Sequence, residues 1–163
     1  MIKDIIENNE YKSLVEKQIK ENVLFLLEKK QEFSITANIQ PISFTPELPK
    51  VIKDQMHKFS LFTLSNYTYT TVQIDDNYIS FEAGFGNENF GSVVKIPLYA
   101  IFQIIIDESI LYINSVATVE KFNSDLESYN SFQTTQFDRE IMYQDAVNLI
   151  PNGKFVFFCW GDK

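Results

Sequence analysis

Residues 78–108, YISFEAGFGNENFGSVVKIPLYAIFQIIIDE, constrain the fold of this chain more than any other stretch, because they dictate two strands and the reversal between them. In 78–85 the apolar side chains Ile79, Phe81 and Ala83 alternate with Tyr78, Ser80, Glu82 and Gly84, the period of a half-buried strand. Gly86, Asn87, Asn89 and Gly91 tolerate positive φ and supply the turn, and 93–96 gives the return strand. Pro97 suits the first turn of a helix, where its missing N–H has no partner to lose. Leu98, Ile101, Phe102 and Ile105 then recur at helical spacing, so the expectation is a hairpin running into a buried helix.

Elsewhere the pattern is of short elements. Residues 11–30 predict a helix with Tyr11, Leu14, Val15, Ile19, Val23, Leu26 and Leu27 on one stripe, Asn8 or Asn9 as N-cap, and Lys29 and Lys30 at its carbonyl end. Leu24 and Phe25 widen the apolar arc and leave surface for a partner. Strands are expected at 33–39, 59–64, 70–74, 78–85 and 93–96, and again at 110–113. Short strands with turn residues between them favour a small, bent antiparallel sheet or barrel. Asp75, Asp76 and Asn77 between two strand runs are turn chemistry. The expected fold class is α+β, mostly β.

The chain holds 163 residues, 45% of them hydrophobic, enough for one core and a tail. Its formal charge is −8, from 22 acidic and 14 basic residues, with Arg139 the single arginine. Nucleic acid wants clustered cations, so it is a poor partner for this chain. Cys159 is the sole cysteine, which excludes an internal disulfide and a cysteine-rich zinc site. No leader pattern is visible at 1–10 and no run approaches a membrane span, so the expected location is the cytoplasm and no membrane is expected as partner. His57, the only histidine, lies in a polar segment without a patterned Ser, Cys or carboxylate, and no glycine-rich phosphate loop opens a helix. A non-enzyme with no cofactor or metal is therefore expected.

The ordered set Phe81, Ala83, Phe85, Gly86, then Val94, Ile96, Pro97, Leu98, then Ala100, Ile101 and Ile104 resembles the core of the SspB family, adaptors that deliver ssrA-tagged proteins to the ClpXP protease. Upstream, FSLFTL at 59–64 is similar to that family's central strand, and FSITANIQPISFTP at 33–46 to its first strand with a Pro-x4-Pro exit at Pro41 and Pro46. The resemblance covers roughly residues 21–116. It departs at Gly84, in a longer turn around Glu88, and at 47–58, which looks like an insertion.

What the resemblance implies is an Sm-like, bent, partly open antiparallel barrel with an N-terminal amphipathic helix and one inserted helix, over residues 1–116. It implies a non-catalytic adaptor that binds ssrA-type peptide tags. The tag would lie along Glu82, Ala83 and Gly84, facing the strand from Phe59 to Phe62, with Phe44, Phe62, Phe81 and Phe85 walling pockets and Gly86 beside them. A homodimer would form through the first long helix, at Val23, Leu24 and Leu27.

Residues 117–163 are polar and acidic and end in an apolar run. A tether with an apolar end raises the local concentration of cargo at an enzyme, and by resemblance Phe155, Val156, Phe157 and Phe158 would dock on ClpX. The competing reading of 154–160 is a last strand paired with the sheet. A second class also stays open: an acidic interaction or immunity-type module that occludes a partner and has no protease link.

Overall fold

The helix that the apolar stripe predicts spans Asn9–Glu28 (α2), after a short helix at Ile2–Ile6 (α1). The Asn8 side chain caps α2 by accepting from the backbone N–H groups of Glu10 and Tyr11 at 2.8 and 3.1 Å. Lys29 is its C-cap, and Lys30 turns the chain out at φ 55°. Val15, Ile19, Val23 and Leu26 are buried on one face, whereas Leu24 and Phe25 point to solvent. The computed structural model describes residues 1–123 and the backbone of 156–157.

Among the described residues, nine strands make two sheets. They are Phe33–Asn38 (β1), Ser43–Thr45 (β2), Phe59–Leu64 (β3), Gln73–Ile74 (β4), Tyr78–Phe85 (β5), Phe90–Pro97 (β6), Ile101–Ile106 (β7), Ser109–Ile113 (β8) and Val156–Phe157 (β9). One sheet has the order β8-β7-β1-β3-β9 and the other β2-β6-β5-β4. Every pairing is antiparallel except that of β9 with β3. Among the described residues there is no closed barrel; the class is α+β. No described helix is long and apolar enough to cross a membrane.

The 78–97 hairpin forms as its pattern predicts. It is paired without a break from Tyr78 opposite Pro97 to Phe85 opposite Phe90, with Gly86 at φ 69° and Asn89 at φ 51° making the turn. Asp75 fixes the preceding bend by accepting from the N–H groups of Asn77 and Tyr78 at 2.8 and 2.7 Å. Those two bonds hold its carboxyl below the ordinary value of 3.8.

The helix expected after Pro97 does not exist. Pro97 ends β6 at ψ 135°, one 3-10 turn follows at Leu98–Ala100, and the chain re-enters a sheet as β7. β7 lies between β1 and β8 and is buried on both faces over Ile101 to Ile105. A strand buried on both faces has no alternation to display, and its apolar run mimics helical spacing. The isoleucines, stiff at χ1, favour the strand.

Two smaller expectations also change. Of the strand expected at 70–74 only Gln73–Ile74 forms (β4); Thr70 closes a helical turn, Asn66–Thr70 (α4), and Thr71 caps it. The segment 47–58 contains a short helix, Lys50–Lys53 (α3), whose Ile52 packs toward the hairpin turn at Gly86. After β8 the chain continues through a 3-10 turn at Ser115–Thr118 and a helix at Glu120–Asn123 (α5). Val116, Ala117 and Val119 are buried there.

The core lies between the sheets and under α2. Phe62 of β3 meets Phe81 of β5 at 5.8 Å, and Phe44 of β2 meets Phe85 at 5.8 Å, both edge-on. Replacing Phe62, fully buried, by alanine should cost about 3–5 kcal/mol of stability. Leu24→Ala, at the surface of α2, should change it by less than about 0.5 kcal/mol. Urea unfolding of the two variants checks the contrast.

Candidate functional site

The packing that builds the core also relocates the site that the sequence suggests. Phe44, Phe59, Phe62, Phe81 and Phe85 are all buried, as is Ala83. Their rings fill the space between the sheets or, for Phe59, lie against Phe102 at 5.3 Å. The strands carrying 59–62 and 82–84 belong to different sheets and face each other across a filled core, so no peptide lies between them. Gly86 sits in the hairpin turn, where a Cβ would meet the Ile52 side chain at 3.2 Å. The phenylalanines are structural members, not pocket walls.

Glu82 and Ala83 do come together in a cleft, on the outer surface of the four-stranded sheet. It holds about 240 Å³ and is lined by Thr45, Pro46, Tyr67, Glu82, Ala83, Gly91, Ser92 and Val93. Register explains the grouping. Thr45 of β2 pairs with Val93 of β6, Val93 with Glu82 of β5, and Gly91 with Gly84. The side chains of Thr45, Val93 and Glu82 therefore emerge on one face, next to Gly91, which has no side chain to fill the space. Among the described residues nothing lies within 4 Å of where a Gly91 Cβ would stand. The floor is bare backbone.

Two walls bound this floor. On one side the Ser92 hydroxyl donates to the carbonyl of Pro46 at 2.9 Å and holds the β2 exit against β6; the Thr45–Pro46 peptide is cis. On the other side α4 presents Tyr67, whose hydroxyl donates to the Glu82 carboxylate. α4 is held to β5 by the Thr71 hydroxyl, which accepts from the Glu82 N–H at 2.9 Å. The Tyr67 phenol is raised above its ordinary 10.0, first by this hydrogen bond and then by the carboxylate's charge. It is thus a neutral donor at physiological pH. One register step further along β6, Lys95 sits on the same face opposite Ser43 and Ser80, its ammonium 4.2 Å from the Tyr78 ring centre. Acceptor, donor and cation are spread along an apolar shelf.

Tyr67, Thr45, Pro46, Gly91, Ser92 and Val93 were not singled out as binding residues from sequence. The signal was present only in part, because Gly91 read as a turn residue. The pairing of β2 with β6, which brings Thr45 and Pro46 to the cleft, is not legible without register.

Of the expected dimer residues, Val23 is buried in the core, Leu27 is half-buried against it, and Leu24 is exposed beside Phe25. Phe155 and Phe158 lie outside the described residues. Val156 and Phe157 form β9, parallel to β3 with Val156 opposite Leu61 and Phe157 opposite Phe62. That pairing agrees with the reading of this segment as a last strand. Among the described residues no group of His, Cys, Asp and Glu gathers as metal ligands.

Because its phenol pKa is raised on folding, the Tyr67–Glu82 bond stabilises the protein fully below about pH 10 and is lost as pH rises through the shifted value. Glu82→Gln removes the carboxylate charge, and the Tyr67 titration should fall back toward 10.0. Carbon NMR of the tyrosine rings against pH checks this; an unmoved titration would show that the bond does not form in solution. No family model, curated protein or solved structure matches the chain.

Proposed function

We propose that the protein is a non-catalytic adaptor of the bacterial cytoplasm that holds an extended peptide in the cleft over Gly91. In this reading its two sheets are an Sm-like, partly open barrel and its ligand is an ssrA-type degradation tag, delivered with its cargo to ClpXP. The observation that carries the reading is the cleft itself, a backbone floor at Gly91 between a wall of Thr45 and Pro46 and a wall of Tyr67. It contains Glu82 and Ala83, two of the positions at which the resemblance to SspB places the tag.

The chemistry of the shelf suits a peptide. Backbone approach is open at Gly91, the Val93 and Pro46 surfaces take small apolar side chains, and Lys95 offers a contact for an acidic one. Glu82, engaged by the Tyr67 hydroxyl, would accept from a peptide N–H. Self-association in this reading uses Leu24 and Phe25 on the outward face of α2.

Fluorescence anisotropy of a labelled ssrA-tag peptide tests the proposal. Saturable binding at low micromolar Kd is expected. Gly91→Leu should weaken it at least about tenfold, a loss of about 1.4 kcal/mol. Because the new side chain meets open space, that variant should keep the wild-type melting temperature. Absence of binding at about 100 μM, or binding indifferent to Gly91→Leu, would overturn the assignment.

A further inference from the structure

The five-stranded sheet ends on an unusual edge. β8, Ser109–Ile113, has β7 on one side and, among the described residues, no strand on the other. Its sequence SILYI carries no charge, and Ile110, Leu111 and Ile113 are 46, 48 and 44% exposed. Proteins ordinarily blunt such an edge with lysine, proline or a cover, because its unpaired N–H and C=O groups template another strand. The other edges in the described sheets, β2, β4 and β9, are three, two and two residues long. β8 is the longest edge.

Local geometry keeps its aliphatic side chains outside. Ile105 pairs with Ile110 and Ile104 with Tyr112, so Leu111 is the extra residue of a bulge and the strict alternation breaks there. Tyr112 turns toward α2, where its hydroxyl donates to Gln18 Oε1 at 2.7 Å. This anchors the strand while its neighbours remain exposed. At the start of β8 the tight turn Asp107-Glu108 leaves two exposed carboxylates, neither in an ion pair among the described residues.

We infer that β8 is a second docking edge, which takes an extended segment of a partner protein as an added antiparallel strand, with alternating aliphatic side chains followed by basic residues. Addition antiparallel to β8 brings the partner's C-terminal end to Asp107 and Glu108, so the basic residues belong after its apolar run. Two arguments favour this occupant over a second copy of the chain. The formal charge of −8 repels a like molecule and attracts a basic one. A five-residue edge, about 17 Å long, is a short strip for the roughly 20–30 residues a side that stable dimers bury. The inference is independent of the cleft over Gly91, which lies on the other sheet; together the two surfaces would let one molecule hold two partners.

The test uses a fluorescein-labelled peptide in which threonine alternates with valine and isoleucine and two lysines close the C-terminus. A twin ends in two glutamates. The lysine peptide should bind with Kd of about 10–100 μM, and the glutamate twin at least about tenfold more weakly at low salt, the gap closing as salt screens the charges. Leu111→Lys and Ile113→Lys, both at exposed positions, should abolish binding without lowering the melting temperature. Gly91→Leu should leave it intact, which separates failure here from failure of the cleft. No saturation below about 1 mM, equal binding of the twin, or indifference to both β8 variants would overturn the inference. So would sedimentation showing a wild-type dimer that Leu111→Lys dissociates, which would assign the edge to a second copy.

Discussion

The contact between Phe62 and Phe81 joins the two sheets, and the rest of the structure is arranged around it. With Phe44 against Phe85 it commits one face of β3 and one face of β5 to the interior. Strand periodicity then decides everything on the opposite faces. Glu82 must emerge if Phe81 and Ala83 are buried, and Val93 must emerge if Val94 is buried. The cleft over Gly91 is thus a consequence of core packing. Its floor exists because the outward, exposed position Gly91 carries no side chain.

Function in this account comes from what the sheets leave uncovered. The four-stranded sheet is crossed at its outer surface by Tyr67 from α4 and by the β2 exit at Pro46, with a shelf between them. The five-stranded sheet ends on β8, with apolar side chains and a free edge. One surface is a shallow groove with a few polar groups, and the other is a strand template. Both are means of holding an extended chain with main-chain contacts, which give affinity, and alternate side chains, which give selectivity.

Much of this was legible in the sequence where pattern and chemistry agree. Asn8 before an apolar stripe announced α2, alternation announced β5, and Asp75-Asp76-Asn77 announced a turn. β7 was not legible as a strand, because Ile101 to Ile105 are buried on both faces and a run that is apolar but for Gln103 has no period of two. The aromatic residues misled for a related reason. A phenylalanine that walls a pocket and one that fills a core look alike in sequence, and here Phe44, Phe62, Phe81 and Phe85 fill the core while Phe59 is buried on the other face of β3 against Phe102. Tyr67 and Pro46 escaped notice because their place in the cleft is set by how α4 and β2 lie against β5 and β6, a tertiary fact. Glu82 and Ala83, singled out from the sequence for a groove facing 59–62, line instead the cleft on the outer face of the hairpin.

The central claim is that the outer face of the β5–β6 hairpin binds an extended peptide. An amide NMR titration of the isotope-labelled protein with an ssrA-tag peptide tests it most directly. The account predicts progressive shifts of the amides of Glu82, Ala83, Gly91, Ser92 and Val93, with Thr45 and Tyr67 at the walls, while β8 stays unperturbed. Shifts confined to β8 or α2, or an unchanged spectrum at saturating peptide, would contradict it.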